Sequence, residues 1–149
     1  MNKIMEDNDM MIKAIDFGGK LPQRSHHNDA GADVFVNIEE PIKLLPGESI
    51  KVPLGFGIEL PDGMAAFVMP RSGLSSKGIT TELAPIDSGY RGEIHAIVTY
   101  DNYVDIPYTL EPNTRVGQLV IVPIVLADFT FGELGEERGA NGFGSTGTK

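Results

Sequence analysis

Apolar residues along this chain fall in short runs rich in Val and Ile, not at the i, i+3, i+4 spacing of an amphipathic helix. The runs are MIKAID near Met11, ADVFV from Ala32, SIKVPLGFGIEL from Ser49, AAFVMP from Ala65, EIHAIVTY from Glu93 and GQLVIVPIVL from Gly117. Turn signals separate them, including Pro46-Gly47 and Pro61-Asp62-Gly63. At the second, the strand ending at Leu60 is expected to reverse into the one starting near Ala65. Many short strands at turn-punctuated spacing predict an all-β fold, an antiparallel sandwich or barrel of jelly-roll kind. The one expected helix is a short turn-rich piece around Leu74 to Lys77. GQLVIVPIVL is apolar on both faces with Pro123 inside it, as in a strand covered on both sides. A subunit interface, the preferred reading, or an ordinary sandwich core provides such cover.

Composition narrows this picture. Eighteen of 149 residues are glycine, well above the usual ~7%, and ten prolines punctuate the rest, so elements must be short. The length implies one domain able to bury about two thirds of its unfolded surface. The absence of cysteine excludes disulfides, thiolate zinc sites and cysteine nucleophiles. Twelve basic against 21 acidic residues give a formal charge of −9, which repels a nucleic-acid polymer. A small anion remains admissible where a few Arg residues or amides reverse the local field. His26, His27 and His95 show no metal-ligand spacing. The opening MNKIMEDNDMMIKAID lacks the basic-then-apolar order of a signal peptide, and no run approaches the ~18 apolar residues of a membrane span. A soluble, cytoplasmic protein with no membrane partner is the expectation.

Five stretches carry candidate chemistry. AGADVFV places Asp33 between small residues and a strand, where it would hold a metal-bound water or form an Asx turn. PRSGLSSKG sets Arg71, Ser72 and Lys77 with two glycines after an apolar strand; the set suits a phosphate cradle or a plain strand-end loop. APIDSGYRGE puts Asp87 before a tight turn with Tyr90. A carboxylate there can activate water beside an aromatic that packs on a sugar, or it can cap a hairpin. RVGQLVIVP offers Gln118 just inside a strand, where a buried amide must find partners. The tail RGANGFGSTGTK spells GxGxxG with Gly142, Gly144 and Gly147, yet only Thr148 and Lys149 follow. The helix of a dinucleotide fingerprint is therefore missing, and the Thr-Lys order reverses that of a phosphate loop. What remains is a frayed terminus, or a segment that folds over a phosphorylated, flat-ringed ligand through Arg138, Phe143, Ser145 and Thr146.

Taken in order, these five stretches resemble the five ordered motifs of the trimeric deoxyuridine triphosphatases (dUTPases), from Ala30 to Gly147. The resemblance implies a jelly-roll-like distorted β-barrel in residues 1–137 and a homotrimer with exchanged C-terminal arms. Residues 138–149 would form a flexible lid, and each active site would draw on all three chains. It implies Mg²⁺-dependent hydrolysis of dUTP to dUMP and pyrophosphate, which keeps uracil out of DNA and supplies dUMP for thymidylate synthesis. Asp87 would be the general base, and Tyr90 would pack beneath the deoxyribose. The backbone around Pro85, Ile86 and Asp87 would read uracil. Arg71, Ser72, Gly73 and Gln118 would hold the α and β phosphates, with Asp33 and Gln118 in the outer shell of the metal. From a neighbouring chain, Arg138, Gly144, Ser145 and Thr146 would clasp the γ-phosphate, and Phe143 would stack on uracil.

Some positions depart from the family's common pattern. Ala84-Pro85 stands where Gly and an aliphatic residue are usual, Thr81 where an Asn often helps the base pocket, Gly89 where an acid is frequent, and Asn141 where Gly is common in the lid. Two rival readings are kept: a deoxycytidine triphosphate deaminase-like enzyme, and a non-catalytic nucleotide-sensing trimer.

Overall fold

Frequent glycine and proline hold the strands to between three and nine residues. The computed structural model describes residues 10–136 and residue 140. The expected lid residues Arg138, Phe143, Gly144, Ser145 and Thr146 lie outside the described residues, as does Asn141. The strands are β1 (Ala14–Asp16), β2 (Ala32–Phe35), β3 (Ile42–Leu44), β4 (Ser49–Pro53), β5 (Phe56–Ile58) and β6 (Met64–Met69). After the helical turn α1 (Ser72–Ser75) come β7 (Ile79–Thr81), β8 (His95–Tyr100), β9 (Tyr108–Leu110) and β10 (Arg115–Pro123). They pair antiparallel in four small sheets, ordered β1-β5, β2-β10-β6, β3-β9 and β4-β8-β7. The described residues are mostly β with almost no helix.

Strand alternation sends one face of each element to a shared core. In β8, Ala96, Val98 and Tyr100 point inward while Ile97 is exposed. Val34, Leu44, Val52, Phe56, Ile79, Val98, Leu110 and Val116 are almost wholly buried in a single cluster to which all four sheets contribute. Gly117 of β10 lies so close to β6 that an added Cβ would be 2.9 Å from both the Met69 carbonyl and Val68 Cγ1.

Several boundaries differ from expectation. The SIKVPLGFGIEL run is two strands: Gly55, at φ +79°, breaks it, and β4 pairs with β8 while β5 pairs with β1. The Pro61-Asp62-Gly63 turn forms, with Met64 N–H donating to the Pro61 carbonyl at 3.3 Å and Gly63 at φ +82°. The strands flanking it do not pair with each other. The helical piece begins two residues earlier than expected, at Ser72. Strands β3, β7 and β9 were not anticipated; three residues are too few to display a period of two. A further turn at Glu111-Pro112-Asn113-Thr114 uses Asn113 at φ 63°, a conformation Asn tolerates better than most residues.

Tyr108 packs against Tyr100 with ring centroids 5.8 Å apart. Burial, and secondarily the charge of Glu111, raise its hydroxyl above the ordinary tyrosine value. The folded chain therefore holds this proton more tightly than the unfolded chain, so the stability contributed is full below about pH 10 and declines as pH rises beyond it. Tyr108→Phe should flatten that decline in urea midpoints measured from about pH 9 to 11; an unchanged alkaline slope would remove Tyr108 as its source.

Candidate active site

The β10 register assembles the first group of residues. Gln118 lies opposite Asp33 of β2 on one side and Met69 of β6 on the other. Just beyond Met69, the Pro70 carbonyl accepts a hydrogen bond from Gln118 Nε2 at 3.1 Å, and the chain then turns into Arg71, Ser72 and Gly73. Arg115 Nη1 donates to Asp33 Oδ2 at 2.6 Å. Arg71 Nε stands 3.5 Å from Asp33 Oδ1, and Arg71 Nη1 donates to the Arg115 carbonyl at 3.0 Å. Ser25 Oγ donates to Asp33 Oδ2 at 3.4 Å. One carboxylate thus faces two guanidinium groups, leaving an excess of positive charge in a strongly acidic chain. Lys20 and Arg115 both lie over the Phe35 ring, 4.9 and 5.2 Å from its centroid, a cation–π arrangement that adds a third cation. Ser72 and Gly73 are exposed, with open space where a Gly73 side chain would be.

A second group sits on the segment after β7. Ile86 bridges to Ala66 of β6, its N–H donating at 2.7 Å and its carbonyl accepting at 3.2 Å. With both backbone groups so used, Ile86 anchors the segment, while the Pro85 carbonyl and Asp87 N–H make no backbone hydrogen bond among the described residues. The turn that follows closes when Tyr90 N–H donates to the Asp87 carbonyl at 3.1 Å. Asp87 is exposed, and among the described residues its carboxylate accepts no hydrogen bond. The hairpin-capping alternative is therefore not what the side chain does here. Ser88 Oγ donates to Asp62 Oδ1 at 3.2 Å and Arg91 Nη1 to the Ser88 carbonyl at 2.7 Å, steadying the turn from both sides.

The structure thus brings Asp33, Arg71 and Gln118 together, with Ser72 and Gly73 adjoining, and places Pro85, Ile86, Asp87 and Tyr90 in a second cluster. Among the described residues, no hydrogen bond or ion pair joins the two. Thr81 belongs to neither: it is buried, and its hydroxyl donates to the Val68 carbonyl at 3.2 Å. Arg115 was not anticipated. Strict alternation puts positions 115 and 118 on opposite faces, but a bulge between Arg115 and Gly117 shifts the register and turns both toward Asp33.

The dUTPase family model matches residues 18–147. The chain belongs to the dUTPase family. It is 46% identical over 139 residues to the deoxyuridine 5'-triphosphate nucleotidohydrolase of Chlamydia pneumoniae, covering 89% of this chain and 94% of the relative. To the enzyme of the same name from Leifsonia xyli subsp. xyli it is 43% identical over 133 residues, covering 86% of each. Among solved structures, the Staphylococcus bacteriophage 80alpha dUTPase with dUPNHPP superposes with a TM-score of 0.80 at 27% identity, covering 92% of this chain and 98% of that one. The dUTPase from phage phi11 of S. aureus, described with a structural Mg(II) ion, has a TM-score of 0.74 at 24% identity and covers 84% of this chain and 98% of that one.

Because Gln118 is the donor that holds Pro70, Gln118→Leu should lower stability by about 1 kcal/mol by leaving that carbonyl without its partner. Urea denaturation checks this, and an unmoved midpoint would show the contact to be dispensable.

Proposed function

We propose that this dUTPase acts as a homotrimer of jelly-roll-like barrels in which Asp87 is the general base, and that each active site is completed by neighbouring chains. The chain is an enzyme that hydrolyses dUTP; neither the deaminase-like nor the non-catalytic reading finds support. The observation that carries the residue assignment is the open Asp87 carboxylate, held out on a turn whose backbone is pinned to β6. A carboxylate so placed accepts a proton from water as it attacks the α-phosphorus, releasing pyrophosphate and dUMP. Tyr90 packs beneath the deoxyribose, and the Pro85 carbonyl with the Asp87 N–H reads uracil over the Ile86 anchor. Arg71, Ser72, Gly73 and Gln118 take the α and β phosphates; guanidinium suits this because its fork pairs two oxygens at once. Residues 138–149 form the lid over the 1–137 core, with Arg138, Gly144, Ser145 and Thr146 on the γ-phosphate and Phe143 on the base.

The residues fit a Mg²⁺ ion carried in by the triphosphate. Among the described residues, no three His, Asp or Glu converge as a direct ligand set. Asp33 already faces Arg71 and Arg115, which suits it, with Gln118, to an outer-shell role through water. Bound Mg²⁺ would offset phosphate charge during displacement.

Two features support sites shared between copies. Among the described residues, no hydrogen bond or ion pair joins the Arg71 cluster to the Asp87 turn, although the proposed chemistry needs both. Beyond β10 the chain continues as Val125, Leu126, Phe129, Phe131 and Leu134, all strongly exposed, and a single soluble chain rarely leaves so much apolar surface in one run. A groove of about 930 Å³, lined by Ile12, Ile58, Met64, Leu119 and Ile121 among others, is suited to receive such an arm from a neighbour. Among the described residues, no helix is long and apolar enough to cross a membrane; a cytoplasmic location fits the reading.

Asp87→Asn should retain nucleotide binding while turnover of dUTP, followed by pyrophosphate release, falls at least ~10²-fold. Undiminished turnover would take the base role away from Asp87. Chains carrying Asp87→Asn, mixed with chains ending before Arg138, should regain activity that neither has alone, because some sites inherit both intact parts. No recovery, despite subunit exchange demonstrated by differential labelling, would refute the shared site.

A further inference from the structure

We infer that Glu93 is a positioning residue for discrimination between deoxyribose and ribose, acting through Tyr90; this rests on the sugar-packing role proposed for Tyr90. The Tyr90 hydroxyl donates to the Glu93 backbone carbonyl at 2.7 Å. The ring lies over Gly92 so closely that an added Cβ there would be 2.5 Å from Oη and 2.7 Å from Cζ. Glu93 is itself tied down: its carboxylate accepts the Gly55 N–H at 2.9 Å through Oε2, while His95 Nε2 stands 4.0 Å from Oε1. Gly55 is the break between β4 and β5 and packs against Gly19. A continuous line of contacts therefore runs from the Gly55 loop, through a charge-assisted hydrogen bond, to the residue whose carbonyl, also 3.1 Å from His95 Nδ1, holds the ring.

Tyr90 is otherwise half-exposed, and a phenol ring without such a tether samples several rotamers. Exclusion of one extra hydroxyl by contact demands a wall that does not yield. The carboxylate of Glu93 thus sets how firmly Tyr90 closes the space beside the sugar carbon that distinguishes the two nucleotide classes, without touching the nucleotide.

The test is a double-mutant cycle read as the ratio of kcat/KM for dUTP to that for UTP. Glu93→Ala should lower the ratio about tenfold, the scale on which a pocket wall discriminates one small group. Glu93→Gln, which keeps an acceptor oxygen, should restore most of it. Tyr90→Phe, lacking the hydroxyl, should lose the same discrimination, and adding Glu93→Ala to it should lose no more. Gly92→Ala displaces the ring by a separate route and should lower the ratio even if Glu93→Ala fails to fold. An unchanged ratio in folded Glu93→Ala, or equal losses with and without the Tyr90 hydroxyl, would overturn the inference. A wild-type protein inert toward dUTP would instead overturn the reading of the reaction, and Tyr90→Ala with full discrimination would overturn the role of Tyr90.

Discussion

The rest of the structure depends on strand β10 being hydrogen-bonded along both edges. A central strand has no freedom to slip, because a one-residue shift would send every inward side chain to the wrong face. Its pairing with β2 and β6 therefore fixes Asp33, Gln118 and Met69 side by side, although they are far apart in sequence. From that row, Pro70 and Arg71 follow by chain continuity. Gly117 reinforces the constraint, since only a residue without a side chain lets β10 approach β6 so closely. The bulge at Arg115 is the one departure from regular pairing, and it delivers a second guanidinium to the Asp33 carboxylate.

The same ladder explains why the Asp87 turn stands apart. β6 bonds to β10 over its whole length, while its other edge meets the Asp87 segment only through the Ile86 bridge at Ala66. One strand thus leads into Pro70 and Arg71 at its end and carries the Asp87 turn near its middle. Both are held by backbone pairing, yet no hydrogen bond or ion pair joins them within the described residues. Backbone mounting of this kind suits the proposed catalytic centre shared between copies, because neither part needs remodelling on assembly.

Much of this could be read from the residues alone, and the exceptions have physical causes. The Val- and Ile-rich runs and the Pro-Gly turns reported short antiparallel strands correctly, since period and turn chemistry are local properties. Asp33, Arg71 and Gln118 could be named from their motifs; their convergence was implied only by the family resemblance, because it arises from strand order. Arg115 was hidden by a bulge that inverts the alternation rule. Glu93 was hidden for another reason: its carboxylate acts on a backbone amide 38 positions away, which no periodicity encodes. Thr81, considered beside the base pocket, proved to be a core residue whose hydroxyl satisfies a neighbouring carbonyl.

The pairing of Asp33 with two arginines also bears on what can enter the phosphate site. For Arg71 to serve a nucleotide, incoming oxygens must compete with a carboxylate already tethered beside it, at an effective concentration in the millimolar range or above. A ligand with a single negative charge would gain little from such an exchange, whereas a polyanion could meet several donors of the cluster together. On the proposed phosphate role of Arg71, resting occupancy by an internal anion would favour ligands of high valence over the monovalent salts around it.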